Sequence, residues 1–423
     1  MINIKKLKQM GIHNILVSSV INKIAMLLYN VAIVRILTKS DFGIFTSCWN
    51  TISIVAVFCG LGLNETLMQF SSETTDENKR SGYMKFAVSA GTITSLISAI
   101  FVMIYALNFK QQVENSALPL AVLAMVLIPQ FVQMSAVMYF RSTLQNREYA
   151  ITTNANTILF VGFSILGASL FGLYGTIAGK YIGFILSALV GLYFMRGNIV
   201  KIIKAKLPSK KTCIDMVKYG LVITLTNAVS QILYLLDIYV IGIVSGSADA
   251  IASYKTATII PFALNFFPGI IITVIYPYFA RNKDNKQWIR KKYLTITKYL
   301  FLINLVVTAG GIFFAPLIIK VLFGETYMDA VEPFKILMIS YFFAGTFRTL
   351  QGNMCAMLRK VNVNLILGTT ACVINVILDF ILIKRYGSIG AAWATTLVTV
   401  ISVFISTIYV FYYLKGNNKS SIK

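Results

Sequence analysis

The chain has 423 residues, 57% of them hydrophobic and 13% charged, with a mean hydropathy of +0.75 and a formal net charge of +23. So little polar surface excludes a soluble globule. With no RNA-binding or helix-turn-helix signature beside it, the positive excess reads as loop charge facing anionic lipid headgroups, not as a nucleic-acid site.

The segment Met1–Ile12, with Lys5, Lys6 and Lys8, leads into an apolar run that lacks a small-residue cleavage site. That predicts an uncleaved first span and not a signal peptide. A helix crossing the hydrocarbon core needs about 20 apolar residues. In chain order the runs that qualify are 13–37, 42–68, 83–107, 117–140, 150–171, 174–195, 216–244, 250–279, 294–321, 333–357, 363–385 and 388–414, which makes twelve. The expected fold class is therefore an all-α polytopic membrane protein. His13 is the only histidine, and Cys48, Cys59, Cys213, Cys355 and Cys372 form no CxxC pair. Neither a metal site, a disulfide framework nor histidine-based acid–base chemistry is expected, and nothing calls for a cofactor.

Lys and Arg crowd into every second gap between these runs. One side holds 27 of the 38, in the N-terminal segment, around Lys79–Lys85, Arg141 and Arg147, 196–218, 281–298, at Arg359 and Lys360, and at the C-terminus. The opposite side holds seven: Arg35, Lys39, Lys110, Lys320, Lys335, Lys384 and Arg385. Cytoplasmic loops retain Lys and Arg, so both termini are expected in the cytoplasm.

The longest polar gap, 196–215, is rich in Lys and Arg, contains Pro208 and lies at the midpoint. The turn Phe171-Gly172-Leu173-Tyr174-Gly175 recurs as Tyr386-Gly387-Ser388-Ile389-Gly390, an offset of 215, and Phe45 corresponds to Tyr254 at an offset of 209. Six spans per half return the chain to the same side, so the repeat is parallel. The expected organisation is two parallel six-helix lobes, 1–205 and 206–423, around a central cavity.

Four cations remain inside the spans: Lys23, Lys180, Lys255 and Arg348. A charge at bilayer depth is costly and marks a pathway by default. Lys23 and Arg348 lie too deep to reach the headgroups and are read as lining a water-filled cavity. Lys180 and Lys255 lie one to two turns from span ends, where snorkelling and a cavity role are both open. The buried acids are few: Asp237 and Asp379, each either an ion-coupling group or an ordinary ion-pair partner, and Glu65 near a span end. More cations than acids suits an anionic substrate such as a diphosphate. A drug or cation exporter would want a dominant buried acid. No G-x-x-x-x-G-K-[ST] loop is present to support ATP hydrolysis.

Arg35-Ile36-Leu37 with Asp41-Phe42-Gly43-Ile44-Phe45 resembles the junction of the first two spans in the polysaccharide-exporter branch of the multidrug/oligosaccharidyl-lipid/polysaccharide (MOP) superfamily. Leu322-Phe323-Gly324-Glu325-Thr326-Tyr327 is similar to the segment before that branch's tenth span. Asn375 with the run from Tyr386 to Thr395 is similar to its eleventh-to-twelfth junction. The branch includes Wzx-type O-antigen flippases, which move undecaprenyl-diphosphate-linked oligosaccharides across the bacterial inner membrane. The resemblance implies alternating access and no enzymatic activity. Its implied partners are the lipid-linked oligosaccharide, membrane lipid, and a polysaccharide polymerase with its chain-length regulator. Related lipid II flippases carry a cation in the middle of the first helix, which Lys23 matches. They also carry an Arg-Asp pair about two turns later, where this chain has Tyr29-Asn30, which favours a lipid-linked saccharide other than lipid II.

Lys23 and Arg348 are thus the candidate diphosphate ligands, with Lys180 and Lys255 as further substrate-binding candidates and Asp237 and Asp379 as ion-coupling candidates. The competing expectation is an ion-coupled multidrug antiporter of the same superfamily. A membrane-embedded transferase ranks last, because no loop is large enough to carry a catalytic acid cluster.

Overall fold

A computed structural model describes residues 12–282, 285–357 and 361–415 of the chain. The loop cations Lys5, Lys6, Lys8, Lys283, Arg359, Lys360, Lys419 and Lys423 lie outside the described residues. All regular structure among the described residues is helical. Two compact units result, Met1–Leu235 with Gly246–Asp249, and Leu236–Ser245 with Ala250–Lys423.

The first unit begins with α1 (Ile12–Ile36) and α2 (Lys39–Ala56). Thr38 caps α2 by accepting the Asp41 N–H at 3.1 Å. A 3₁₀ turn (Cys59–Gly62) leads into α3 (Leu63–Ser72), and Asp76 then caps α4 (Glu77–Asn108) by accepting from Asn78 and Lys79. After α5 (Ala117–Ala124) and α6 (Leu127–Ser142) comes α7 (Asn146–Lys204), followed by α8 (Lys210–Ser245), which continues into the second unit. Polar residues between apolar runs thus set helix starts by satisfying otherwise orphaned N–H groups.

At 59 residues α7 is far too long for one crossing, and it folds back at Gly172, where φ is 56° and ψ −133°. Gly167 and Gly175 then pass so closely that a Cβ on either would overlap the other's carbonyl. Gly179 lies against Phe163 in the same way, and Gly183 against Phe160. Gly175, Gly179, Gly183, Ser187 and Gly191 recur every four residues, the small-residue stripe that lets membrane helices approach.

The second unit contains α9 (Ala248–Leu264), α10 (Phe266–Arg281), α11 (Lys286–Phe313), α12 (Ala315–Leu322), α13 (Val331–Phe343), α14 (Thr349–Met357) and α15 (Val361–Lys415). The 55-residue α15 folds back at Gly387, and Gly390 meets the Leu382 carbonyl as Gly175 meets that of Gly167. Both units therefore contain the same glycine-hinged helical hairpin.

Seven described helices are long and apolar enough to cross a membrane, and the bent pair α2–α3 makes an eighth. Folding of α7 and of α15 turns each into two crossings. The helix α8 and the run from α13 through α14 complete the twelve expected from sequence. Large apolar side chains such as Phe101, Leu170, Val306 and Phe404 are exposed, as suits a surface solvated by lipid.

Several spans are interrupted where the hydropathy reads as continuous, the fourth between α5 and α6 and the ninth between α11 and α12 among them. The second bends by 42° at Gly60-Leu61-Gly62, all at positive φ, and the Phe131 ring occupies the space a Cβ on Gly60 would need. Thr94 Oγ1 accepts the Gly60 N–H freed there, at 3.1 Å. The eighth breaks at Asn265, four residues after Pro261 and three before Pro268. The tenth carries a π-helical turn, Ala344–Arg348, between α13 and α14.

Candidate functional site

In the second unit, α8, α9 and both arms of α15 bring an acid cluster together. Asp237 accepts hydrogen bonds from the Tyr254 hydroxyl and from Thr395 Oγ1. Asn375 Nδ2 donates to Asp237 Oδ1 at 3.3 Å and to Asp379 Oδ2 at 2.7 Å, so one amide joins the two carboxylates. Both acids are buried, and among the described residues Asp379 Oδ1 has no hydrogen-bond partner. Among the described residues no Lys or Arg enters the cluster. Two carboxylates this deep need a compensating positive charge, either a proton or a small cation with hard oxygen ligands. The residues present suit that role: five oxygen-bearing side chains converge, and one carboxylate oxygen is left unused. Tyr254 and Thr395 are functional candidates that residue-type reasoning passes over, although Tyr254 stands out as the repeat counterpart of Phe45.

Arg348 ends the π turn and lines a cavity of about 200 Å³ with Gln351, Asn364, Ser402 and Ser406. Among the described residues no carboxylate lines this cavity. Its wall is held by Gln351, which donates to Tyr293 Oη at 3.0 Å and Thr407 Oγ1 at 2.7 Å and accepts from Ser406. The π turn matters here because it shifts the residues beyond it relative to a continuous α-helix.

In the first unit a larger cavity, about 480 Å³, opens beside the broken second span. Asn64, Glu65, Gln130, Thr224, Asn227 and Gln231 supply its polar lining. Ser135 Oγ donates to Asn64 Oδ1 at 2.6 Å, while Gln130 Oε1 and Thr224 Oγ1 are buried without partners among the described residues. Such a lining of amides and hydroxyls with the one Glu65 carboxylate matches the donor–acceptor character of sugars.

The remaining cations separate. Lys23 is exposed on α1, and Lys255 is half-buried on α9. Lys180 is 1% exposed, and its Nζ lies 3.6 Å from the ring centre of Trp49 and 3.9 Å from that of Phe160, with Phe45 and Tyr29 at 5.1 and 5.4 Å. Among the described residues none of Lys23, Lys180, Lys255 and Arg348 pairs with a carboxylate. The ion pairs Lys201–Glu77, Lys320–Glu325 and Lys335–Glu332 join exposed or half-exposed groups.

A family profile described as a polysaccharide biosynthesis protein matches residues 32–332, well over half of the chain. The chain belongs to this polysaccharide biosynthesis family. Its similarity to a Shigella flexneri protein named as a candidate O-antigen transporter is 22% identity, covering 85% of this chain and 87% of that one. An uncharacterized membrane protein of Methanocaldococcus jannaschii is 25% identical, covering 89% of this chain and 78% of its own length. Among solved structures, the lipid II flippase MurJ superposes with a TM-score of 0.76 at 18% identity, covering 95% of this chain and 87% of MurJ. A multidrug resistance MATE family transporter of the MOP superfamily gives 0.69 at 16% identity, covering 95% and 96%. The fold is that of these transporters, and the family membership accords with the polysaccharide branch expected from the junction motifs. The two solved structures are of a flippase and a transporter, and the Methanocaldococcus relative is uncharacterized.

Proposed function

We propose that this polysaccharide biosynthesis family member flips an undecaprenyl-diphosphate-linked oligosaccharide, an O-antigen or similar surface-polysaccharide repeat unit, across the bacterial inner membrane by alternating access. Both termini lie in the cytoplasm in this reading, following the loop cations. Support comes chiefly from Arg348, a guanidinium on a cavity with no acid in its lining among the described residues. Its fork geometry suits a diphosphate, and Lys23 of the first unit is the other candidate for a phosphate contact. The amide- and hydroxyl-lined cavity around Asn227 and Gln231 takes the sugars. The Asp237–Asp379 cluster takes the coupling proton or small cation. A polysaccharide polymerase and its chain-length regulator act on the product.

The carboxylate pair also supports a second reading, an ion-coupled multidrug antiporter. One genetic experiment separates the two. Flippase function requires that Lys23→Ala and Arg348→Ala each abolish surface polysaccharide at normal expression, with drug susceptibility unchanged. Wild-type polymer in both variants sinks the assignment of these residues, and deletion that changes only drug susceptibility favours the antiporter.

A further inference from the structure

Two buried clusters occupy matching positions of the internal repeat and differ in what supplies their positive charge. The hairpin glycines Gly172 and Gly387 fix an offset of 215, and the contacts of Gly175 with Gly167 and of Gly390 with Leu382 repeat it. At that offset Lys180 corresponds to Thr395 and Phe160 to Asn375; Phe45 corresponds to Tyr254 at 209. Tyr254, Asn375 and Thr395 all bond the Asp237 carboxylate. Phe45 and Phe160, with Trp49 and Tyr29, all face the Lys180 ammonium.

Carboxylate oxygens and aromatic faces are alternative ways to hold a cation, the second through the ring quadrupole. Burial of Lys180 has no structural return of the ordinary kind: among the described residues its Nζ meets neither a carboxylate nor a hydrogen-bond acceptor. An aliphatic side chain would fill the same space without a charge to desolvate. We propose that the cage of Tyr29, Phe45, Trp49 and Phe160 is a cation site whose resident ion is the chain's own Lys180 ammonium, and which accepts a small alkylammonium ion once that side chain is removed. The first unit carries its cation covalently, and the second takes an exchangeable one. The contrast with the second unit rests on the coupling role proposed for Asp237 and Asp379, whereas the cage stands on its own geometry.

The chain has three tryptophans, Trp49, Trp288 and Trp393. In full-length protein carrying Trp288→Phe and Trp393→Phe, Trp49 emission reports on the cage alone. Added to this background, Lys180→Ala is titrated with propylammonium, which restores the Cγ-to-Nζ portion that alanine lacks. A saturable change in emission is expected, with none when Lys180 is retained and none with uncharged 1-propanol. No response in Lys180→Ala, an equal response with Lys180 in place, or an equal response to 1-propanol overturns the proposal. Lys180→Met, nearly the same shape without charge, keeps the test independent of any folding defect in the alanine variant. It is expected to lower transport by about tenfold or more, and wild-type transport in it overturns the proposal. Asp379→Asn in the same Lys180→Ala background leaves the propylammonium response intact. The cation dependence of transport in Asp379→Asn alone tests the second unit separately.

Discussion

Gly172 and Gly387, 215 positions apart, share one backbone geometry: φ 56° and ψ −133° in the first, φ 57° and ψ −134° in the second. This region is open to glycine and strained for any residue with a Cβ. Each glycine turns a helix of more than 50 residues into an antiparallel pair, so the fold of each unit depends on it. Gly172→Ala and Gly387→Ala should each destabilise the protein by about 1–3 kcal/mol, read as lowered thermal stability in detergent. Gly162 is helical with nothing near its Cβ position, and Gly162→Ala should stabilise by about 0.5–1 kcal/mol.

Arg348 should be required for its fork as well as its charge. Arg348→Lys keeps the charge but loses the paired donors that match a diphosphate. Transport by Arg348→Lys should fall about tenfold to a hundredfold, the scale of one charge-assisted hydrogen bond. Folding should be retained, since no carboxylate in the cavity lining is left unpaired. Transport of lipid-linked saccharide, compared with the thermal stability of the same preparation, separates the two effects. Arg385→Ala, which removes an exposed cation in the eleventh-to-twelfth junction, should change neither.

Asp237 and Asp379 should separate in a similar comparison. Asp237 accepts from Tyr254, Thr395 and Asn375, so Asp237→Asn disrupts a buried network and should cost about 1–3 kcal/mol. Asp379 leaves one oxygen unbonded, so Asp379→Asn should cost less. Thermal unfolding in sodium, in potassium and across pH should show ion-dependent stabilisation of the wild type that Asp379→Asn lacks.

Asn227 and Gln231 face the larger cavity and should act on the saccharide alone. Asn227→Leu and Gln231→Leu should each raise KM by about threefold to tenfold, the scale of one neutral hydrogen bond, at unchanged thermal stability. A change in kcat with unchanged KM would place them outside the sugar site.

Hydropathy and the alternation of loop cations made the twelve spans legible, because both follow from composition over windows of about 20 residues. The glycine turns were legible because a required φ restricts residue type. The breaks were not. Gly60 and Gly62 are visible as glycines, but the Phe131 ring packed against Gly60 comes from α6, and the π turn before Arg348 has no compositional mark. At the sites, burial at span depth singled out Asp237, Asp379 and Arg348. It could not show that one Asn375 amide joins both acids. For Lys180, snorkelling and cavity lining were both open from sequence, and four rings from three helices enclose it instead. The repeat offset that aligns Lys180 with Thr395 was the signal that could have located that cage.

The central claim is movement of a lipid-linked saccharide, and reconstitution tests it most directly. Purified protein in vesicles carrying undecaprenyl-diphosphate-oligosaccharide should make the saccharide accessible to a glycan-cleaving enzyme on the opposite leaflet, faster than in protein-free vesicles. Arg348→Ala should return the rate to that of protein-free vesicles. Equal rates with and without the wild-type protein, at an imposed proton or sodium gradient of either direction, would contradict the account.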